Sequence, residues 1–165
     1  MTEAQPKGKA SKGKYIGIGV GVVIVAIIAV MIIGAAASNG GLSSVGKSKH
    51  SIQLMSGNVA VNPGHYQSYQ FNVPSGATNT KVTGTFYASG GSGNDIVVTI
   101  LSQTDYINWQ NGHSSSTNYN SGKVTTGNIN TNLPDGETYY LVFDNSFSII
   151  SAKNVSGNIQ LEYLQ

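Results

Sequence analysis

An uninterrupted apolar stretch dominates the first quarter of the sequence. Residues 15–37 read YIGIGVGVVIVAIIAVMIIGAAA, which is 23 residues without a charged side chain. At about 1.5 Å per residue, a helix of this length is roughly 34 Å long, enough to cross a bilayer core with some tilt. In lipid every backbone N–H must be bonded within the segment, so even β-branched residues are forced into a helix. The pattern therefore predicts one transmembrane helix over residues 15–37.

A cleaved signal peptide is the competing interpretation of the same stretch. Ala35, Ala36 and Ala37 stand before Ser38 and have the small side chains of a cleavage site. The apolar block is, however, much longer than the roughly 7 to 15 residues of an ordinary signal-peptide core. Its length favours an uncleaved signal anchor.

The distribution of lysine predicts the orientation of this anchor. Residues 1–14 contain four Lys and one Glu, a net charge of +3, whereas only Lys47 and Lys49 follow the apolar block closely. Positive charge beside a membrane helix tends to remain in the cytoplasm. We therefore expect a cytoplasmic Lys-rich tail over residues 1–14 and an extracytoplasmic location for residues 38–165, in a single-pass protein of the cell membrane.

Glycines recur every four residues at the start of the apolar block, at Gly13, Gly17 and Gly21. Such spacing leaves one helix face without side chains and lets a second helix approach closely. Self-association through this face is one hypothesis. The other is that these glycines are simply tolerated, as glycine often is in membrane helices.

Beyond the apolar block the pattern changes to that of short strands. Residues 38–50 are rich in Gly, Ser and Lys and are typical of a flexible stalk. Residues 51–165 show apolar and polar alternation broken by Gly, Pro, Asn and Asp, and no convincing helical period. The predicted strands are Ile52 to Met55, Asn58 to Val61, His65 to Val73, Lys81 to Ala88, Ile96 to Leu101, Lys123 to Asn130, Thr138 to Asp144 and Val155 to Tyr163.

The strand pattern predicts an all-β domain. Alternation is clearest from Val82 to Ala88 and from Ile159 to Tyr163, while the denser apolar runs 96–98 and 139–143 suit central strands buried on both faces. Seven or eight short antiparallel strands in a domain of this size predict a β-sandwich. The Ser- and Asn-rich stretch 111–122 is predicted to be a long loop.

The order of features in the second half of the chain resembles the GOLD domain, the β-sandwich of p24-type secretory proteins and of some lipid-binding proteins. The most specific part runs from Tyr140 to Val155, with DNSFS at 144–148 and Lys153 before the last strand. The other matching pieces are VTGTF at 82–86, DIVVTI at 95–100, Tyr106 with Trp109, and Gly136 before YYLVF at 139–143.

The resemblance implies an interaction domain without catalysis, acting on protein or lipid. It does not imply cargo sorting, because p24-type proteins carry their membrane helix after the domain and this chain has its apolar block before it. Physically, Asp144, Asn145 and Ser146 are expected to form a turn. Phe147 and Ile149 are then expected to return to the core, and Trp109 to be a packing aromatic.

Composition excludes several classes of function. There is no Cys, which removes disulfides, thiolate metal sites and thiol nucleophiles, and charged residues are only 10% of the chain. The net charge of +2 comes from the N-terminal tail, since residues 38–165 carry five Lys and six acidic residues. A nucleic-acid partner is not expected.

No cluster of residues predicts catalysis, and we expect no enzyme activity, cofactor or metal. His50, His65 and His113 are far apart in sequence and lack partners at ligand spacing. The GGSGND segment at 90–95, with Asp135 and Asp144, offers too few oxygen ligands to predict a calcium site. Asn154 begins the only glycosylation sequon, NVS.

A filament subunit is the alternative function. A Lys-Gly pair before an apolar N-terminal helix and a β-rich outer domain also describe archaeal pilin or flagellin-like proteins. Here Lys12-Gly13 is followed by Lys14 rather than by an apolar residue, which weakens this alternative. The preferred prediction is a membrane-anchored interaction domain at the cell surface.

Overall fold

The computed structural model describes residues 46–91 and 93–165, together with the backbone of Val22–Ile24. The predicted cytoplasmic tail, Gly13, Gly17, Gly21 and the rest of the predicted membrane helix lie outside the described residues. The described elements are β1 (Val22–Ile24), β2 (Lys49–Val61), β3 (Tyr66–Asn72), β4 (Thr78–Ser89), β5 (Ile96–Ser102), α1 (Gln103–Gln110), β6 (Tyr119–Val124), β7 (Thr126–Asn132), β8 (Thr138–Asp144) and β9 (Lys153–Leu164).

Residues 49–164 form two facing sheets, which confirms the predicted all-β sandwich. One sheet has the order β3-β8-β5-β6, with β1 beside β3, and the other has the order β2-β9-β4-β7. Every pair of neighbouring strands from β2 to β9 is antiparallel.

The core lies between the sheets and is built by the alternation along each strand. Every second residue of β4, β8 and β9 points inward. Most of the residues between them on β4 and β9 are polar and face outward, whereas those on β8 include Tyr140 and Val142. The largest side chains with under 2% exposure include Tyr139, Phe86, Phe143, Ile96, Ile100, Leu101, Ile129, Leu141, Ile159 and Leu161.

One glycine, Gly127, makes room for the buried ring of Phe86 in the second sheet. Phe86 lies between Gly127 on β7 and Gly157 on β9 in the strand register. A Cβ at position 127 would stand 2.3 Å from the Phe86 ring. The ring therefore occupies the space that a side chain at position 127 would need, which explains why a glycine interrupts that strand.

Strand β8 matches its predicted bounds and its predicted burial. Tyr139, Leu141 and Phe143 belong to the core between the sheets. Val142 is buried on the opposite face, with Tyr140 packed beside it. Burial on both faces follows from its place between β3 and β5, and from α1, which covers the outer face.

Helix α1 was not predicted, because the sequence pattern indicated no helix in residues 51–165. Ser102 is the N-cap of the helix: its hydroxyl accepts from the Asp105 N–H at 3.2 Å and donates to the Asp105 carboxylate at 2.8 Å. Asp105 also accepts from the Ser116 N–H at 2.8 Å. This second bond, followed by the bond from Ser102, lowers the pKa of Asp105.

Several boundaries differ from the predicted ones. The strands predicted at 52–55 and 58–61 are one strand, β2, with a bulge between Gln53 and Met55. The strand predicted at 123–130 is two, since β6 ends at Val124 and β7 begins at Thr126. Strand β2 begins at Lys49, inside the segment predicted as the stalk.

Val22–Ile24 differ from the helix predicted over residues 15–37. These three residues are extended and pair in parallel with Gln67, Ser68 and Tyr69 of β3. Val and Ile favour extended backbone outside a bilayer, and β3 offers a sheet edge without charge or proline. Within the described part of the chain, no helix has the length and apolar character needed to cross a membrane.

The sandwich has two opposite ends, which we call the N-terminal pole and the loop pole. The N-terminal pole contains residues 46–48, where Ser48 pairs with Gln165 and the Lys47 ammonium donates to the Gly76 carbonyl at 3.0 Å. The loop pole contains the connections 62–65, 90–95 and 145–152. Strand β2 runs from one pole to the other over 13 residues, which at about 3.3 Å per residue is roughly 40 Å.

Candidate functional site

The most exposed large apolar side chains of the described residues lie on the connection between β8 and β9, residues 145–152, here called the β8–β9 loop. Ile149 is 92% exposed and Ile150 is 87% exposed. The prediction that Ile149 returns to the core is wrong. Phe147 is only half-buried. Two adjacent exposed isoleucines form a small apolar patch, and such patches commonly mark contact sites.

The loop is held in place by Asn145, which is fully buried. Its side-chain amide donates to the carbonyl oxygens of Val61 at 3.1 Å, Asn62 at 3.2 Å and Ser151 at 3.0 Å. Its backbone N–H also donates to the His65 carbonyl at 2.9 Å. One side chain thus ties the end of β2 to both ends of the β8–β9 loop.

Short polar contacts close the loop on either side of the isoleucines. The Asp144 carboxylate accepts from the Ser146 N–H at 2.7 Å, which confirms the predicted turn at 144–146. The Ser148 hydroxyl donates to the Ser151 carbonyl at 2.9 Å, and the Ser151 N–H donates back to that hydroxyl at 3.3 Å. The isoleucines are therefore displayed on a folded turn.

A groove of about 360 Å³ lies beside the isoleucine pair. It is lined by Asp95, Phe147 and Lys153 and by residues 148–151, which include both isoleucines. The Lys153 ammonium is 2% exposed, lies 3.3 Å from the Asp95 carboxylate and donates to the Gly90 carbonyl at 3.0 Å. Lys153 is the first residue of β9, two residues before the start predicted at Val155, and its buried charge is paired within the groove wall.

Lys123 packs against Phe147 at the loop pole. Its ammonium lies 4.0 Å from the centre of the Phe147 ring, a cation–π contact that orients the ring. No sequence pattern predicts this contact, because Lys123 and Phe147 are far apart in the chain and come together only through the pairing of β6, β5 and β8.

The three histidines lie at separate places. His50 stacks on Tyr163 with ring centres 5.0 Å apart, at the N-terminal pole. His65 Nδ1 lies 2.8 Å from the Pro63 carbonyl, at the loop pole. His113 is exposed just after α1. Across residues 46–91 and 93–165, no three His or acidic side chains come together in a way that could hold a metal ion.

The acidic residues considered for calcium have local structural roles. Asp135 accepts from the Gly76 N–H at 2.7 Å, at the N-terminal pole. Asp144 bonds the turn and Asp95 pairs with Lys153, both at the loop pole. The structure therefore places Asp135 at the opposite end of the sandwich from Asp95 and Asp144.

Trp109 belongs to an aromatic cluster between α1 and the outer face of the first sheet, and it has the packing role predicted for it. Its ring lies 4.8 Å from that of Tyr66 and 6.0 Å from that of Tyr106, and the Tyr106 ring stacks on Tyr140 at 3.9 Å. The Tyr106 hydroxyl lies 2.9 Å from the Ser68 hydroxyl and accepts from Gln110 at 3.1 Å. Burial raises the pKa of Tyr106, so its hydroxyl stays protonated.

Asn154, in the glycosylation sequon, is exposed on the outer face of β9. Strand β9 lies between β2 and β4, and Asn154 pairs with Ala60 and Ser89 in the register. Its side chain therefore points to solvent from the middle of a sheet near the loop pole.

Comparison with known proteins adds a distant likeness of fold. No family model matches the chain. No curated protein sequence matches it either. Among solved structures, it is similar to PliG of Aeromonas hydrophila, a periplasmic inhibitor of g-type lysozyme, with 11% identity and a TM-score of 0.38 over 76% of this chain and 93% of that one.

Proposed function

We propose that this chain is a single-pass membrane-anchored protein whose extracytoplasmic β-sandwich is a noncatalytic interaction domain at the cell surface. The observation that carries the proposal is the exposed pair Ile149 and Ile150, displayed on a folded loop at the pole opposite Gly46, where the described domain begins. Adjacent exposed apolar side chains of this kind commonly mark a surface that another molecule covers.

The bilayer is the environment that best accommodates residues 15–37. This segment contains seven Ile and five Val, and at about −0.3 to −0.6 kcal/mol each these twelve residues favour insertion by roughly 4 to 7 kcal/mol. Pairing of Val22–Ile24 with β3 involves only three residues. The favourable free energy of transferring the whole apolar segment into a bilayer therefore supports insertion.

Gly13, Gly17 and Gly21 would then offer a helix face for contact between two anchors.

The geometry supports a contact site that faces away from the membrane. The anchor precedes Gly46, at the N-terminal pole, and the isoleucine pair lies at the other end of β2, roughly 40 Å away. The loop pole is therefore the part of the domain that other surfaces reach first.

The most specific part of the GOLD resemblance, residues 140–155, includes this contact site. The turn at 144–146 and Lys153 bracket the isoleucine pair and hold the loop that displays it. The resemblance is therefore consistent with binding of protein or lipid by this loop. Membership of that family stays a proposal.

The alternative function, a structural subunit of a surface filament, is favoured by one observation. Val22–Ile24 lie against β3 in the sheet, and a segment that joins a sheet is not in a bilayer. In that case the apolar N-terminal segment would hold subunits together rather than anchor them.

N-terminal sequencing of the mature chain, purified from its own membranes, separates the two functions. The anchored domain is expected to retain the Met1 region and to resist extraction by alkaline carbonate. Processing near Gly13, with the chain recovered in sheared surface fibres, would contradict the anchor and support the filament. A soluble form that begins at Ser38 would contradict both.

A further inference from the structure

The glycosylation sequon is a motif to which the proposed function gives no role. It consists of Asn154, Val155 and Ser156 and is the only sequon of the chain. Residues two apart in a strand point to the same face. Strand β9 therefore presents the Asn154 amide and the Ser156 hydroxyl together on the outer face of the second sheet, while Val155 is buried in the core.

The neighbours of Asn154 across the sheet leave room for a bulky group. Asn154 lies between Ala60 on β2 and Ser89 on β4 in the register, and both of these side chains are small. The Ser89 hydroxyl donates to the backbone carbonyl of Asn154 at 3.3 Å, and no hydrogen bond within the described residues engages the Asn154 amide. The amide nitrogen is therefore neither crowded from the sides nor already bonded.

An exposed aromatic ring lies one step along the same face. Tyr87 pairs with Ser156 in the register, so it is diagonal to Asn154 at a distance of about 7 to 8 Å. Its side chain is 51% exposed although β4 is an inner strand of its sheet. A sugar attached to Asn154 reaches this ring, and contact with the C–H groups of the sugar removes apolar area of the ring from water.

We propose that Asn154 is a modification site that carries an N-linked glycan. The inference rests on the proposed extracytoplasmic location of the sandwich, because N-linked sugars are transferred to chains that have crossed the membrane. A glycan is bulky and strongly hydrated and requires a surface position. The exposed side of β9 provides one.

The sugar donor is a glycan joined through phosphate to a membrane lipid, and a membrane-bound oligosaccharyl transferase catalyses the transfer. A bond forms between the Asn154 amide nitrogen and the anomeric carbon of the sugar, while the bond from that carbon to the phosphate oxygen breaks. The lipid phosphate leaves with the electron pair of the broken bond, and the amide nitrogen gives up one proton.

The sequon is accessible before the sandwich closes. Strand β9 pairs with β2 on one side and with β4 on the other, so the second sheet is complete only when β9 has joined it. A chain that crosses a membrane during synthesis crosses it unfolded, and the sequon then meets the transferase as extended chain. The sheet can form afterwards, because the sugar lies on the outer face and leaves the packing of Lys153 and Val155 unchanged.

The test is the intact mass of the full chain purified from the source organism. The unaltered chain is expected to exceed the mass of its mature sequence by a whole number of sugar residues. Asn154→Gln and Ser156→Ala are each expected to lose this excess completely. The first removes the accepting amide, and the second removes the hydroxyl that the sequon requires.

The matched control is Ser156→Thr, which keeps a hydroxyl two residues after Asn154 and therefore keeps the sequon. It is expected to carry the same mass excess as the unaltered chain. Both altered positions lie on the outer face of β9, so every variant is expected to keep the circular dichroism spectrum of the unaltered chain.

A mass excess that survives Ser156→Ala would overturn the inference, because the sugar would then be attached elsewhere. Extraction by alkaline carbonate separates failure of the inference from failure of the proposed function. A chain that resists extraction and has the mass of its sequence alone overturns the modification alone. A chain that carries the excess and is recovered as a soluble form overturns the anchor alone, and an unmodified chain in the cytoplasm overturns both.

Discussion

Truncating Phe143 to alanine is expected to lower the free energy of unfolding by about 3 to 5 kcal/mol. Phe143 is fully buried at the centre of the sandwich, and its ring meets Tyr69 edge to face with centres 6.0 Å apart. The strands on both sides of β8 are fixed by backbone pairing, so the cavity closes poorly. Such a loss is a large part of the 5 to 15 kcal/mol typical of a domain.

Urea unfolding of the full chain in mild detergent, followed by the fluorescence of Trp109, measures this change, since Trp109 is the only tryptophan. The matched control is Tyr87→Ala, which truncates an aromatic side chain that is half exposed on the outer face of β4. It is expected to cost about 1 kcal/mol or less. Equal, small losses from both changes would mean that β8 is not a central strand.

Replacing Asn145 with alanine is expected to cost about 1 to 3 kcal/mol, although the change removes few atoms. The carbonyl oxygens of Val61, Asn62 and Ser151 lose the Asn145 amide together. The Asn62 carbonyl keeps the His65 N–H and the Ser151 carbonyl keeps the Ser148 hydroxyl, which limits the loss. The matched control is Asn130→Ala on β7, which is exposed and makes no side-chain hydrogen bond within the described residues.

The same variant tests whether Asn145 holds the β8–β9 loop. Thermolysin cleaves before large apolar residues, and Ile149 and Ile150 offer it exposed sites. We expect Asn145→Ala to be cut in this loop faster than the unaltered chain under native conditions, and Asn130→Ala to be cut at the unaltered rate. If Asn145→Ala lost stability while the loop resisted cleavage as before, the amide would support the core without fixing the loop.

The sandwich was predictable because apolar alternation along a strand depends only on which residues face the core. The apolar run at 139–143 predicted a central strand buried on both faces, and β8 has the predicted bounds, Thr138–Asp144. The division between β6 and β7 was not predictable from the same pattern. Thr125 alone separates them, and no Gly or Pro marks the corner.

Helix α1 was missed because it is short and buries little. Of its eight residues only Tyr106 is buried, so no helical period of apolar residues appears in the sequence. The sequence did contain one local indication of a helix start: a serine, Ser102, followed three residues later by an acidic residue, Asp105. This pattern marks a helix start even where no apolar period is present.

The candidate site was predicted only in part. The turn at 144–146 follows from local chemistry, since Asp, Asn and Ser side chains bond nearby backbone. The exposure of Ile149 does not follow, because an isoleucine after a turn ordinarily returns to the core. It stays outside because Asn145 and Ser148 both bond Ser151 and so close the chain on either side of the isoleucines. The groove depends on residues far apart in sequence.

Labelling of single cysteines on intact cells can determine the orientation of the anchored chain, because the chain has no cysteine of its own. One variant, I150C, places a thiol at the loop pole, and a second, T2C, places one in the predicted cytoplasmic tail. We expect a membrane-impermeant maleimide to label I150C on intact cells and to label T2C only after the membrane is permeabilised. Labelling of T2C on intact cells, or protection of I150C until permeabilisation, would contradict a cytoplasmic N-terminus and an extracytoplasmic sandwich.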